Sequence, residues 1–266
     1  MNLTTVLYGV EGGVATLTLD RPEARNALNR AMCDDIVAAT AAARDDAEVR
    51  LVLIRGSGPV FCAGADLKER KGMAPDEVRA RRLAAYAAYG AIESLPMPAI
   101  AIVHGAAVGS GCDIAAACDF VIATHRSRWG MPEINWGITP GWGGTGRLSK
   151  FAGRRKTKEW NLLGYLFNAA TAERYDLVNR LCEPESLDAE ITALTEVLLS
   201  KDRHATTVTK YFVDKGADLD MWSSMFFEGN PARFGPGENA MAGIQDFTEK
   251  STRDERRKLI MNFWQD

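Results

Sequence analysis

Two short stretches of the chain share one design. FCAGADLKE at residues 61–69 and GAAVGSGCD at residues 105–113 each set small residues just after an apolar run. Small residues leave backbone N–H groups open to close approach, and two such amides aimed at one oxygen are how a protein stabilises an oxyanion. A thioester or similar carbonyl, whose oxygen gains charge during reaction, is the natural occupant. Either loop alone reads equally well as a tight turn; the pair is more informative. Two carboxylates accompany them. Asp113 ends the second stretch, and Glu133 follows a proline in WGMPEINWGITPGWGGTGRL at 129–148, close to Trp136. Two carboxyl groups beside an activated carbonyl are the set needed to move protons on and off carbon or water. The plainer alternatives are that Asp113 complements the N-terminal dipole of a helix, worth ~0.3–1 kcal/mol, and that Glu133 is a solvated loop acid.

The elements that must position these residues alternate. TTVLYGV and VATLTLD are β-rich runs joined by Glu11-Gly12-Gly13, a hairpin signal. An Ala-rich helix is predicted from about Asn29 to Arg44, and VRLVLIR reads as a strand buried on both faces. A long loop carrying FCAGADLKE leads to a helix from about Pro75 to Glu93, where Pro75 and Asp76 suit a helix start. Strand AIAIV, the glycine stretch, helix DIAAAC and strand FVIAT continue the series, and such alternation argues for an α/β core. Glycines 137, 141, 143, 144 and 146 form a second glycine-rich loop, after which the chain is expected to be mostly helical. In the last segment Leu259, Ile260, Phe263 and Trp264 share one face of an amphipathic helix, which a subunit interface would cover better than a membrane.

Composition narrows the function classes. With 266 residues, 46% hydrophobic and 25% charged, the chain can bury a large core, which excludes disordered and fibrous classes. A net charge of −3 with interspersed signs offers no basic face for nucleic acid. No window approaches the ~20 apolar residues of a membrane span, and the N-terminus has no leader pattern, so a cytoplasmic enzyme is the simplest expectation. Five cysteines without a CxxC pair read as reduced core thiols. His104, His125 and His204 are too scattered for a metal site, and His104, ending an apolar strand, reads as a hydrogen-bonded core histidine.

RPEARNALN at 21–29, FCAGADLKE at 61–69, GAAVGSGCDIAAACD at 105–119 and MPEINWGITPGWGGTGRL at 131–148 resemble, in order, the four signature segments of the crotonase (enoyl-CoA hydratase/isomerase) superfamily. The similarity continues through AATAERYDLVNRL at 169–181, covering about residues 4–185. The resemblance implies an α/β fold, a crotonase-type spiral of ββα repeats over residues 1–200, with a C-terminal helical trimerisation region over 201–266 and a homo-oligomeric, trimeric or hexameric, assembly. It implies a thioester oxygen held by the amides of Ala65 and Ser110, the latter where a glycine is usual. It assigns catalysis to Asp113 and Glu133, and substrate or CoA contacts to Arg25, Ala63, Asp66, Leu67, Lys68, Gly109 and Trp136. CoA then enters as part of an acyl-CoA substrate, with no separate cofactor and no metal.

Departures from the family pattern bear on the reaction. Asp113 is one methylene shorter than the hydratase glutamate, and a shift of about 1 Å in a catalytic group costs on the order of 10²-fold in rate. An aspartate there resembles dienoyl-CoA isomerases, but their second aspartate would be Gly141. PEINWGITPG resembles hydroxycinnamoyl-CoA hydratase-lyases, yet their phenol-binding tyrosine would be Arg70. A dehalogenase would need a nucleophilic aspartate that Gly143-Gly144-Thr145 does not supply. The expectation is an acyl-CoA hydratase/dehydratase acting on an α,β-unsaturated acyl-CoA, with a cyclic or aromatic acyl group suggested by Trp136 and Trp142. An enoyl- or dienoyl-CoA isomerase, a hydratase-lyase, and a non-catalytic binder of the same fold, an RNA binder among them, are the alternatives.

Overall fold

A computed structural model describes residues 1–229, 237 and 239–248. They fall into two compact units, one of residues 1–195 and one beginning at Glu196. The face proposed for Leu259, Ile260, Phe263 and Trp264 lies outside the described residues, as does most of the GNPARFGPGE break.

The first unit opens with a hairpin of β1 (Val6–Glu11) and β2 (Val14–Leu19), paired antiparallel from Val6↔Leu19 to Glu11↔Val14. Gly12 and Gly13 both adopt positive φ, 56° and 82°, as a two-residue turn matched to strand twist requires. From β2 onward the sheet is parallel. Strands β3 (Leu51–Gly56), β4 (Ala99–Val103), β6 (Phe120–Thr124) and β9 (Arg180–Cys182) complete a six-stranded sheet in the order β1-β2-β3-β4-β6-β9.

Crossover helices cover this sheet. In α1 (Arg30–Asp45), Asn29 caps the N-terminus by accepting from Met32 N, and Met32, Cys33, Ile36, Ala39, Thr40 and Ala43 form the buried stripe. In α3 (Pro75–Glu93) the stripe is Arg81, Ala84, Ala85, Ala88, Tyr89 and Ile92. Both follow the i, i+3, i+4 spacing of a helix with one apolar face, and the two helices pack on each other. The five residues of β4 are all buried, as expected for a central parallel strand. All five cysteines are free and buried, and His104 Nε2 pairs with Gly58 O at 2.9 Å, in line with the sequence reading.

The sequence did not reveal a second sheet. Strands β5 (Ala106–Val108), β7 (Arg128–Gly130) and β8 (Leu166–Asn168) pair in that order. Each has three residues, too few for an alternating pattern to stand out. Helix α4 (Ser110–Ala116) also begins three residues before the expected DIAAAC start, because Gly109 turns the chain at φ 53°, ψ −117°. The remaining helices of this unit are α2 (Leu67–Arg70), α5 (Gly144–Phe151), α6 (Gly153–Leu163), α7 (Ala169–Arg174) and α8 (Leu187–Leu199), which runs past the boundary.

Within the second unit lie α9 (Arg203–Gly216), α10 (Met221–Glu228) and α11 (Ala240–Thr248). Asp202 caps α9 by accepting from Ala205 N, and Tyr211 and Phe212 pack against Phe227 at ring separations of 5.4 and 5.7 Å. No described helix is long and apolar enough to cross a membrane.

Candidate active site

The two small-residue loops meet because their strands are neighbours. β3 and β4 run parallel in register Val52↔Ala99 to Arg55↔Ile102, so the segments that follow both leave from the same edge of the sheet. Loop 62–66 then lies between two other segments. On one side Ala63 N donates to Arg25 O, Leu28 N to Gly64 O and Asp66 N to Leu28 O; on the other, Cys62 N donates to Ala106 O and Val108 N to Cys62 O. Extended backbone presents successive N–H groups to opposite sides. Asp66 N is turned toward Leu28, so Ala65 N points the other way, to the side of the 106–108 segment. It donates to no acceptor among the described residues.

Ser110 supplies the second amide as the first residue of α4, where a helix leaves its N–H groups without intrahelical partners. Positive φ falls on Gly109, so Ser110 takes ordinary helical geometry and a serine is accommodated. Glycines allow these loops to close. A Cβ on Gly64 would come within 2.9 Å of Val108 O, and one on Gly111 within 2.3 Å of Cys62 O. Ala65 and Ser110 both line one cavity of about 260 Å³, together with Ala63, Leu67, Gly109, Asp113, Glu133 and Trp136.

Both carboxylates reach this cavity from different elements. Asp113 stands in the first turn of α4 and is 2% exposed. Gly144, at the start of α5, makes room for it, since a Cβ there would overlap Asp113 Oδ1. Glu133 sits in a single 3₁₀ turn, Pro132–Trp136, directly after β7. Pairing of Val108 with Gly130 brings that turn alongside Gly109, and a Cβ on Gly109 would lie 2.6 Å from Glu133 Oε1. Asp113 Oδ1 and Glu133 Oε2 are buried without a hydrogen-bond partner among the described residues.

Burial pushes the Asp113 carboxyl up to about 7, the nearby Glu133 charge adds to the rise, and Arg147 opposes it. Arg147 is itself held by Glu93, with Nη2 donating to Oε2 at 2.7 Å. Burial also raises Glu133, offset by its own backbone amide. An acid that keeps its proton near neutrality beside a second carboxyl is the pairing proton-transfer chemistry uses.

The other sequence candidates are distributed unevenly. Asp66 does not line the cavity. Its carboxylate caps α2, accepting from Lys68 N and Glu69 N, and pairs with Arg21 at 3.0 Å, which braces the loop that carries Ala65. Arg25 and Lys68 are exposed and lie outside the cavity. Trp136 is 61% exposed at its rim, and Trp142 lines it with the Arg81 guanidinium 4.8 Å from its ring centre.

Arg81 and Gly144 went unrecognised in the sequence. Arg81 is 4% exposed and binds Glu69 Oε2 at 2.5 Å, Leu28 O at 3.0 Å and Asp66 O at 2.9 Å, so it ties α3 to the loop of the first amide. Its signal was an arginine on the apolar stripe of α3. Among the described residues no group of three or more His, Cys, Asp or Glu gathers as a metal-binding set.

Known proteins share this arrangement of loops and strands. A family model described as enoyl-CoA hydratase/isomerase matches residues 9–254. The crotonyl-CoA hydratase of Syntrophomonas wolfei is 35% identical over 86% of this chain and 89% of its own length. The crystal structure of an enoyl-CoA hydratase from Bacillus anthracis superposes with a TM-score of 0.88 at 29% identity, covering 94% of this chain and 98% of that one. A Thermobifida fusca structure solved in complex with CoA, 26% identical, covers 84% of this chain and 90% of its own at a TM-score of 0.78. The fold is accordingly the crotonase-type α/β fold with a C-terminal helical region, and the chain belongs to the enoyl-CoA hydratase/isomerase family of enzymes.

Proposed function

We propose that the chain is an acyl-CoA hydratase/dehydratase that adds water across the α,β double bond of an enoyl-CoA thioester. The observation that carries this reading is one cavity holding two unengaged amides, Ala65 and Ser110, with two carboxyl groups of raised pKa, Asp113 and Glu133. The thioester oxygen accepts both N–H groups and takes up charge as the enolate develops, an arrangement that acts on the transition state more than on the ground state. Ionised Glu133 takes one proton from water, and the resulting hydroxide bonds to Cβ. Protonated Asp113 gives its proton to Cα, and exchange with solvent restores both carboxyls. CoA is carried by the substrate, and no separate cofactor takes part. Trp136 and Trp142 favour a flat, cyclic or aromatic acyl group against their faces.

Support for the water-adding outcome comes from two buried carboxyls on one cavity, Asp113 raised to about 7 and Glu133 raised by burial, one available to handle water and the other to supply a proton. An isomerase would use the same enolate but shuttle one proton between carbons. The test is mass spectrometry of purified protein with crotonyl-, hexenoyl-, cyclohexenoyl- and cinnamoyl-CoA in ¹⁸O water. The expected result is one labelled oxygen in the product, reduced by about 10²–10⁴-fold in Glu133→Gln, the usual contribution of a positioned general base. Double-bond migration without label would move the assignment to an isomerase.

A further inference from the structure

Three arginines line the cavity, Arg70, Arg81 and Arg82. Arg81 is engaged by Glu69 and two carbonyls, as described. Arg70 and Arg82 form no ion pair and donate no side-chain hydrogen bond among the described residues.

Val78, Arg81 and Arg82 stand at i, i+3 and i+4 on α3 and therefore share one face. One turn further on, the Tyr86 hydroxyl donates to Gly141 O at 2.7 Å, pinning α3 to the glycine loop. The Arg82 guanidinium carbon lies 3.8 Å from where a Cβ on Gly141 would stand, and three residues later the same loop closes on Asp113 through Gly144. The glycine loop thus touches Arg82 at Gly141 and Asp113 at Gly144. Arg70, the last residue of α2, lines the same cavity.

Arg70 is half-buried and Arg82 exposed, so both guanidiniums stand at the wall of the cavity, where a plain alkyl chain offers them no partner. A carboxylate supplies the planar, two-oxygen partner that arginine binds best. We propose that the preferred acyl group carries a carboxylate at the end remote from the thioester, paired with Arg70 and Arg82. The substrate class is then the CoA monothioesters of unsaturated dicarboxylic acids. This deepens the hydratase reading and rests on it. The phosphates of CoA are the competing source of an anion for these two side chains.

The experiment compares hydration of glutaconyl-CoA and 2-hexenedioyl-CoA with that of 2-pentenoyl-CoA and 2-hexenoyl-CoA, for the natural chain, Arg70→Gln and Arg82→Gln. The expected result is a kcat/KM about 10- to 100-fold higher for the carboxylated partner of each pair, the worth of a hydrogen-bonded charge pair. Each substitution should erase most of that ratio. Equal rates within each pair would overturn the proposal while leaving the hydratase reading intact. So would arginine variants that lose rate equally on both partners together with affinity for free CoA, which would assign the arginines to the phosphates. If no thioester is hydrated, the hydratase reading fails, and calorimetric binding of the saturated adipyl-CoA against hexanoyl-CoA decides the inference separately. Tighter adipyl-CoA binding that is lost in Arg82→Gln supports it, and equal binding overturns it.

Discussion

Asp113 occupies a position where ionisation is costly. Its carboxyl is 2% exposed, lies near a second acid, and holds its proton up to about 7 instead of the usual 3.8. The linkage to stability follows directly. Between pH ~4 and ~7 the folded chain retains a proton that the unfolded chain releases, so stability contributed at this site falls as pH rises through that window. Asp113→Asn removes the titration. Its melting temperature relative to the natural chain should rise from pH 4 to about pH 7 and level off above it, as measured by thermal scans at several pH values. A difference that does not change with pH would show that the carboxyl titrates normally. If Asp113 is the proton donor in hydration, kcat of the natural chain also declines above about pH 7. Both behaviours depend on packing around one side chain, which a sequence motif does not report. Motifs made Asp113 and Glu133 visible as acids beside small-residue loops, but the raised pKa of each comes from burial.

Among the elements, turns and glycines control the site more than the helices and strands do. The hairpin, α1 and α3 follow local patterns, and the sequence reading located them within a residue or two. The three-residue strands β5, β7 and β8 have no such local pattern and exist through pairing with one another. Yet β7 is what carries Glu133 to Gly109. Gly144 is the most exacting position of the second glycine loop, because a Cβ there would sit within 2.9 Å of Asp113 Cγ and 3.0 Å of the Met131 methyl. Gly144→Ala should displace the Asp113 carboxyl and cost about 10²-fold in kcat, with a stability loss of ~1–3 kcal/mol from overpacking. Gly146→Ala, in the same helix with no heavy atom within 4 Å of the added carbon, is the control. Equal kinetics for the two variants would count against the tight fit at Gly144.

At the scale of the molecule, the second unit has more apolar surface than a solitary helical region needs. Met221, Trp222 and Phe226 on α10 are 74%, 80% and 86% exposed, and Met241 and Ile244 on α11 are also open. Patches of this kind mark contact surfaces, and we propose that they join copies of this chain into a trimer or hexamer. Replacing Trp222 and Phe226 together with Glu should shift the mass measured by light scattering from the oligomer to the monomer. A natural chain that elutes as a monomer would overturn the proposal.

The α/β class, the hairpin, the two long helices and the identity of the two acids were all readable from the chain, because each is written in local composition or periodicity. RPEARNALN, FCAGADLKE, GAAVGSGCDIAAACD and MPEINWGITPGWGGTGRL, met in that order, also pointed to the family. Three features depended on tertiary structure. Ala65 and Ser110 come to line one cavity through parallel pairing of β3 with β4, a contact between residues nearly fifty positions apart. Asp66 proved to brace its own loop instead of facing the cavity, since a carboxylate at a helix start is satisfied by the nearest amides. Arg70, Arg81 and Arg82 look alike in KERKGMAPDEVRARR and all line the cavity, and only folding separates the one neutralised by Glu69 from the two with no ion pair among the described residues. Charge in a sequence is local, whereas its neutralisation depends on what the fold brings within reach.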